Sequence, residues 1–482
     1  MKKKNIFQNQ SQEILALFEA AEDRSKVMCV PIDYAKKDHV VMFCNGNGKI
    51  IRKPFSVKNS LEGKDYLIDQ VTRSCHHHGI QPKHIFFGGE DCGPYADNFI
   101  TALRSENWIV AGVNAHDAKK YRENMQASTD QLDLLGISKM LLSCRGNCSP
   151  AQSGIYWNLK ILIRQRRKLV HMITGVSNRI HTLVDVIFPG FLNEKKSGIF
   201  PFSKGSLALM DDRFSAQQIS RRSRSTLAKF LSRHLVHHSD RCAEKLQQYA
   251  SQVLQPPESH MATLQVSLTQ QVKLYRCLQE STHHLEKEIA ENLAQTSGAF
   301  LTTIRGIGIT LASGVCAEIG NPDKQKPLNN LVSYAGIIPR IKQTGGVQGK
   351  IQVKKVGKRC NRILKDYVVQ SASHIGVQGP DDLKSDYKRR NAKGQHADFG
   401  IARRYLRMAM CLMRSSQTYL PKNLRSSRIC KEERARYYLE TWPRLREKWQ
   451  RANALNLAFD KDKPLGQWRN MVQELYGIEL EL

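Results

Sequence analysis

Four acidic residues stand at positions from which they can bind divalent cations. Asp33 ends a strand-like run, and Glu90 ends a later one among glycines that let a backbone or a substrate come close. Asp130 and Asp133 lie three residues apart, so a helix carries both on one face. Because the strand ends of an open α/β sheet converge on one crevice, we expect the four carboxylates to meet there. Taken singly, Asp33 can equally be a turn residue and Asp130 a helix N-cap.

The charge of such a cluster indicates its chemistry. Two carboxylates about 4 Å apart repel by about 1 kcal/mol in water and by about 4 kcal/mol at an effective dielectric constant of 20. Four of them are tolerable mainly when divalent cations neutralise them, and oxygen-rich, partly hydrated sites suit Mg²⁺ or Mn²⁺. Two such ions stabilise the attacking and leaving oxygens in phosphodiester cleavage. We therefore expect a magnesium or manganese site whose ligands are also catalytic residues: Asp33, Glu90, Asp130 and Asp133.

The elements that must position these acids are predicted to be α/β in front and helical behind. Residues from about 26 to 113 follow the order three strands, helix, strand, helix, strand, which is that of an RNase H-like sheet, and a further helix covers Asp130–Leu142. From about 150 to 300 apolar residues recur at helical spacing, which predicts a helical or coiled-coil spacer. A second compact unit starts near Leu301. We predict five segments: an N-terminal segment (1–25), the α/β domain (26–148), the spacer (149–300), a mostly helical domain (301–378) and a basic helical C-terminal extension (379–482).

The charge balance points to a polyanionic partner. The sequence has 74 Lys and Arg against 44 Asp and Glu, a formal net charge of +30. Solubility needs a net charge of only roughly 2–8 in a small domain, whereas nucleic acid attracts a field of this size. No apolar run approaches the roughly 18 residues that span a bilayer, and the charged N-terminus lacks the apolar core of a signal peptide. We expect a nucleic-acid partner, no membrane, and a cytoplasmic, nucleoid-associated location.

The second half contains features suited to nucleic acid. Gly306-Ile307-Gly308, beside Arg305, resembles a helix-hairpin-helix turn, whose backbone N–H groups can hold a DNA phosphate. Aromatic residues are interleaved with the basic residues of the C-terminal extension, and base stacking explains them about as well as helix packing. The segment 340–365 has no acid and many cations, namely Arg340, Lys342, Lys350, Lys354, Lys355, Lys358, Arg359, Arg362 and Lys365.

The motifs resemble those of one transposase family. PIDYAKKDH, GGEDCGPYADNFITALRSENWIVAGVN and STDQLDLLGISKMLL resemble the N-terminal RuvC-like domain of insertion-sequence-110 family transposases, the DEDD transposases that include the Piv/MooV invertases. LTTIRGIGITLASGVCAEIG, LVSYAGIIP and KVGKRCNRILK look like the C-terminal transposase domain of that family. The resemblance covers roughly residues 26–375 in the right order. It implies an RNase H-like, RuvC-like domain in which Asp33, Glu90, Asp130 and Asp133 bind metal.

The family's nucleophile is replaced in this chain. Its nucleophilic serine sits just before a glycine, a few residues after an Ala-Gly-x-x-Pro motif, and YAGIIPRIKQTGG puts Thr344 there. Threonine offers the same attacking oxygen, but its methyl group restricts χ1 and crowds the approach to phosphorus. Thr344 is therefore a working substitute, a slow one, or a sign of a decayed element. Ser333 lies nearby but out of register.

The resemblance implies a DNA transposase or recombinase that works as a homo-oligomer, a dimer or tetramer, on element ends and target DNA. Several family members are guided by a structured RNA that the element encodes, so we also expect a guide RNA. Two alternatives stay open. A metal-dependent Holliday-junction-type endonuclease needs only the carboxylates, and a catalytically decayed nucleic-acid-binding protein needs neither the carboxylates nor Thr344.

Overall fold

The computed structural model describes most of the chain, which divides into two compact units, Met1–Ala151 and Gln152–Leu482. None of the helices in the described ranges is long and apolar enough to cross a membrane. The described residues are 10–90, 93–121, 129–148, 154–212, 214–324, 328–338, 340–343, 351–354, 360–426 and 430–482.

The first unit is built on a mixed β-sheet. Its strands are β1 (Met28–Asp33), β2 (Asp38–Asn45), β3 (Ile50–Lys58), β4 (Ile85–Glu90) and β5 (Ile109–Val113). Among the described residues the strand order is β3-β2-β1-β4-β5. The first three strands form an antiparallel meander, and β4 and β5 run parallel to β1. This order and mixture of directions is that of an RNase H-like fold, so the predicted fold class is confirmed here.

Helices cover both faces of this sheet. They are α1 (Gln12–Ala21), α2 (Leu61–His78), α3 (Pro94–Ser105), α4 (Ala115–Ala118) and α5 (Asp130–Leu142). Alternate strand residues point to opposite faces, which gives the sheet two cores. Val30 and Phe99 belong to the core under α2 and α3, and Cys29 and Ile137 to the core under α1 and α5. The helix α1, which lies in the predicted N-terminal segment 1–25, is part of the second of these cores.

The second unit begins with two long helices, α6 (Ile155–Ile187) and α12 (Glu258–Ala294), which pack along each other. At a rise of 1.5 Å per residue they are about 50 and about 55 Å long. The chain between them forms a small helical module that packs on both long helices, and the core that they share includes Phe188, Phe191 and Phe214. The helices of this module are α7 (Glu194–Ser197), α8 (Lys204–Asp211), α9 (Ala216–Arg221), α10 (Arg224–Arg233) and α11 (Ser239–Ala250).

The rest of the second unit is also mostly helical, as predicted. Its helices are α13 (Ile309–Ile319), α14 (Leu328–Tyr334), α15 (Arg362–Gln378), α16 (Asp381–Ala392), α17 (Ala397–Ser415), α18 (Lys431–Arg451), α19 (Leu455–Ala458) and α20 (Pro464–Tyr476), with an antiparallel strand pair, β6 (Arg340–Gln343) and β7 (Ile351–Lys354). One core runs from Leu159 on α6 to Leu480. Tyr405, Trp442 and Trp449 are buried in it, so helix packing and not base stacking explains these rings.

Candidate active site and nucleic-acid contacts

Two of the four predicted carboxylates lie side by side at one end of the sheet. Asp33 is the last residue of β1, and Glu90 is the last residue of β4. In the parallel pairing of these strands Ile32 lies opposite Gly89, so the two acids occupy the next register position. Both side chains are half-buried. Adjacent strands are about 4.8 Å apart, and charges at that spacing repel by about 3.5 kcal/mol at an effective dielectric constant of 20. A bound cation would relieve this repulsion.

Glycines on β4 bring neighbouring groups close to the strand that ends in Glu90. A Cβ atom at Gly89 would lie 2.5 Å from Cε2 of Tyr34, and one at Gly88 would lie 2.6 Å from Cδ2 of Leu141 on α5. Any side chain at these positions would push the ring or the helix away. Gly88 therefore also sets the distance between β4 and α5.

Both strand-end acids face the side of the sheet that α5 covers. Asp33 follows Cys29 by four residues along β1, and Cys29 belongs to the core under α5. The same argument applies to Glu90, which follows Phe86 of that core by four residues, because residues an even number apart share a face. The two carboxylates therefore lie on the side of the sheet that faces α5, the helix that carries Asp130 and Asp133.

On α5 the two acids differ in their surroundings. Asp133 is half-buried and lies one turn before Ile137, which packs on the sheet. Asp130, the first residue of the helix, is exposed. The N-cap is Thr129, whose Oγ1 accepts a hydrogen bond from the backbone N–H of Leu132 at 3.4 Å. Asp130 is thus not the N-cap of α5, the structural role that the sequence had left open for it.

The donor set of these acids suits a hard divalent cation, because it consists of carboxylate oxygens alone. Within the described residues, however, no three His, Cys, Asp or Glu side chains are grouped closely enough to hold a metal ion. The structure therefore brings Asp33 and Glu90 together and turns Asp133 toward the same side of the sheet. It does not draw the four acids into one coordination shell.

The predicted nucleophile, Thr344, falls outside the described residues, as do Lys350, Lys355, Lys358 and Arg359. The strands before and after residues 344–350 are described: β6 ends at Gln343, which pairs with Ile351 on β7. Three of the predicted nucleic-acid-binding residues lie on this strand pair, and a fourth is exposed at the start of α15; they are Arg340, Lys342, Lys354 and Arg362.

A hydrogen-bonded network joins the two ends of the segment that carries the predicted nucleophile. The backbone N–H of Asn361 donates to the carbonyl oxygen of Tyr334 at 2.8 Å. Its Nδ2 donates to the Tyr334 hydroxyl at 2.9 Å and to Oε2 of Glu318 at 2.7 Å. Its Oδ1 caps α15 by accepting from the amides of Ile363 and Leu364. One side chain thus ties α13, α14 and α15 together where this segment begins and ends.

Glu318 is the charged centre of this network. Its carboxylate is fully buried, and Arg164 on α6 donates to both oxygens, at 2.8 and 3.0 Å. Burial raises the pKa of Glu318, but the hydrogen bonds from Arg164 and Asn361 outweigh burial and hold the pKa below its usual value. The carboxylate is therefore ionised at neutral pH. Sequence reasoning did not identify Glu318, although an acid within the apolar run ASGVCAEIG was a signal.

The turn at 306–308 has a packed side and an open side. Gly306 has a φ of +86°, and a Cβ atom there would lie 3.1 Å from the carbonyl oxygen of His374, so glycine is strongly favoured. Gly308 is the N-cap of α13, and a Cβ atom there would meet nothing within 4 Å. Arg305 is exposed. The open side therefore presents the N-terminus of a helix beside a cation, as phosphate binding requires.

Lys448 on α18 holds the packed side of this turn. Its Nζ donates to the carbonyl oxygens of Thr302 at 2.6 Å, Ile304 at 3.2 Å and Ile307 at 2.8 Å. Burial lowers the pKa of Lys448 to about 8, so the ammonium group remains charged at neutral pH. The indole N–H of Trp449 adds a bond to Oγ1 of Thr302 at 3.2 Å. No local pattern separates Lys448 from the other cations of the C-terminal extension, so its role could not be identified from the sequence.

Comparison with known protein families gives two matches. The model for DEDD transposases of the IS110 type matches residues 30–189, and the model for the transposase IS116/IS110/IS902 family matches residues 298–382. Together they cover just over half of the chain. All four predicted metal ligands lie within the first match, and Thr344 lies within the second. The comparison with curated proteins gives no match.

Proposed function

The chain belongs to the IS110 family of transposases, and from that premise we propose that it cuts and rejoins DNA by metal-dependent phosphoryl transfer through a threonine hydroxyl. The family makes the protein a DNA transposase or recombinase. The proposal adds the ion, the nucleophile and the partners. The observation that carries it is the register of β1 and β4, which sets Asp33 and Glu90 next to each other at the ends of their strands.

Asp33 and Glu90 would hold a divalent cation, Mg²⁺ or Mn²⁺, with Asp133 as a third ligand and the more exposed Asp130 beside it. Such an ion stabilises negative charge on the attacking and leaving oxygens of a phosphodiester. The sheet contributes the fixed positions of the first two carboxylates. Because α5 carries the other two, its packing on the sheet decides how closely they approach the strand ends.

Thr344 would be the nucleophile. Its oxygen forms a bond to phosphorus while the bond from phosphorus to one strand oxygen breaks; the hydroxyl proton is released, and the leaving oxygen takes up a proton. A strand hydroxyl then attacks the phosphothreonine ester and restores the threonine, which rejoins DNA without a net loss of phosphodiester bonds. The network around Asn361 supports this role by holding the ends of the segment together. The basic residues of β6 and β7 would hold the DNA backbone.

The proposed partners are DNA, a structured guide RNA and further copies of the chain. The net charge of +30 suits RNA as well as DNA, because backbone contacts do not depend on sequence. In a dimer or tetramer the carboxylates of one subunit can serve the hydroxyl of another. Such an enzyme would act where its DNA is, at the nucleoid.

Covalency tests the proposal most directly. The purified protein, with Mg²⁺ and its co-purifying nucleic acid, is incubated with DNA that joins the two ends of its element, and an SDS-resistant adduct is sought. We expect an adduct with the wild type that is lost in Thr344→Ala, in Asp33→Ala and when Mg²⁺ is omitted. Ser333→Ala is the matched control, because it removes a nearby exposed hydroxyl that is out of register.

Three other results would contradict the proposal. An adduct only with Thr344→Ser would mean that the threonine methyl blocks the reaction. DNA cleavage without an adduct in any variant would point to an endonuclease. Binding with neither cleavage nor an adduct in any variant would point to a decayed nucleic-acid-binding protein.

A further inference from the structure

A cavity lined by arginines lies between α16 and α17. Its volume is about 300 Å³. We call it the arginine pocket, and its lining residues are Arg390 of α16 and Gly400, Arg403, Arg404 and Arg407 of α17. It lies beyond residue 382, where the second family match ends, in a part of the chain that contains none of the predicted catalytic residues.

Two acids behind the pocket fix part of its wall. Arg404 donates to Asp382 at 2.9 Å and to Asp386 at 3.5 Å, and Arg390 donates to Asp386 at 3.3 Å. Asp386 is buried; burial raises its pKa, but hydrogen bonds from Arg389 and Arg390 outweigh burial and hold the pKa below its usual value. Asp386 is therefore ionised at neutral pH and orients two of the lining guanidinium groups.

The remaining two arginines lack such a counter-charge. Arg403 and Arg407 are one turn apart, so they lie on the same side of α17. Arg403 is half-buried and Arg407 is exposed, and no acid within the described ranges forms an ion pair with either. The pocket therefore has four guanidinium groups against two carboxylates, and its surplus of positive charge faces the cavity.

Gly400 provides the room for this arrangement. A Cβ atom there would lie 2.9 Å from Nη1 and 3.1 Å from Cδ of Arg390. Glycine inside a helix is less favourable than alanine by about 1 kcal/mol. The chain thus places a helix-weakening residue at the point where a methyl group would push an arginine into the cavity.

We infer that the arginine pocket binds a backbone phosphate of the nucleic acid on which this transposase acts. Guanidinium groups match phosphate oxygens through paired N–H donors, and two of the four already have their orientation fixed by carboxylates. The ligand chemistry is the phosphodiester group, which DNA and RNA share. The inference takes only the identity of the partner from the proposed function, because the pocket needs neither the metal nor Thr344.

Binding to nucleic acid as a function of salt tests the pocket. The full-length protein is titrated with a labelled DNA duplex and with a labelled RNA hairpin by fluorescence anisotropy at several salt concentrations. The test variants are Arg403→Gln/Arg407→Gln and Gly400→Ala. The matched control is Lys384→Gln/Lys388→Gln on α16, which also removes two positive charges one turn apart but outside the pocket lining.

We expect the double arginine variant to weaken binding about ten-fold or more and to reduce the slope of log K against log salt by about one. Gly400→Ala should weaken binding about three-fold without lowering the melting temperature, because alanine favours the helix. Weaker binding of the RNA hairpin alone would assign the phosphate to RNA, and weaker binding of the DNA duplex alone would assign it to DNA.

If the lysine control lost as much affinity for nucleic acid as the double arginine variant, the inference would be overturned, because only net charge would then matter. Unchanged binding in Gly400→Ala or in the double arginine variant would overturn it as well. Failure of the recombination proposal gives a different pattern: Thr344→Ala and wild type form no adduct, yet both bind nucleic acid with the pocket intact.

Discussion

Replacing Arg164 with methionine tests the buried network that joins Tyr334 and Asn361, the two ends of the segment that contains Thr344. The variant removes two of the three side-chain donors to the Glu318 carboxylate and leaves Asn361 as the third. Breaking a buried ion pair by removing one partner costs about 3–5 kcal/mol. Because the Arg164 side chain is 42% exposed and one donor remains, we expect the low end, about 3 kcal/mol of local stability at neutral pH.

The pH dependence of this loss has a definite sign. In the wild type the pKa of Glu318 is held below its usual value, so its contribution to stability is present above the unfolded-state pKa and is lost as pH falls through the folded-state pKa. In Arg164→Met burial is opposed only by the hydrogen bond from Asn361 and the weaker effect of the Lys160 charge, so we expect the folded-state pKa to lie above the unfolded one. The variant then loses stability as pH rises between the two pKa values. The difference between the two proteins should shrink from pH 7 to pH 4.

The assay is hydrogen exchange measured by mass spectrometry on peptides that cover α13 and the first turns of α15. It reports local free energies, whereas a chain with two compact units need not unfold in one global transition. Arg164→Met/Glu318→Gln is the control variant, since it removes the buried charge together with its partner and should recover at least about 1 kcal/mol. A loss below about 0.5 kcal/mol, or one that stays constant between pH 4 and pH 7, would refute the reasoning.

Two further predictions concern the turn at 306–308. Gly306→Ala should lower the stability by about 1–2 kcal/mol because of the positive φ and the contact with His374, whereas Gly308→Ala, where the added Cβ meets open space, should lower it by only about 0.5 kcal/mol because alanine is a weaker N-cap. Thermal unfolding of the two variants compares these losses. Equal losses would contradict the description of a turn with one packed side and one open side. Lys448→Met should leave the carbonyl groups of three residues in the turn without their ammonium donor. We expect the local stability of residues 300–308, measured by hydrogen exchange, to fall by about 2–4 kcal/mol. Unchanged protection of these residues would show that the ammonium group does not hold the turn.

The order of the elements in the first unit was predictable because each strand and helix carries its own pattern. Runs such as VMCVPID and HIFFGG are short and apolar, and the structure has strands at Met28–Asp33 and Ile85–Glu90. From such an order the sheet topology follows, and with it the neighbouring positions of Asp33 and Glu90. How near α5 brings its own acids depends on side-chain packing, which no periodicity encodes. The roles of the four acids and of Thr344 stay predictions.

The buried ion pair and the buried hydrogen bonds of the second unit were not predictable, because they join residues that are far apart in sequence. Arg164 and Glu318 are separated by 154 positions, and Lys448 and Thr302 by 146. Each is an ordinary charged or polar residue in its local context, and only the tertiary fold gives it a partner. The arginine pocket combines both cases: the basic character of the extension was visible, whereas the cavity depends on how α16 and α17 pack.

The core that runs from Leu159 to Leu480 has a consequence for protein synthesis. The first unit has cores made of residues 14–148, so it can fold while the ribosome is still translating the rest. The second unit spans residues 152–482, and at roughly 5–20 residues per second its translation takes roughly 17–66 seconds. The ion pair between Arg164 and Glu318 cannot form until Glu318 has been made, and the core to which Leu159 belongs stays incomplete until the chain has been made as far as Leu480. A nascent chain would therefore carry the folded first unit, with Asp33 and Glu90 at the ends of their strands, before the C-terminal helices that complete the core of the second unit have been made.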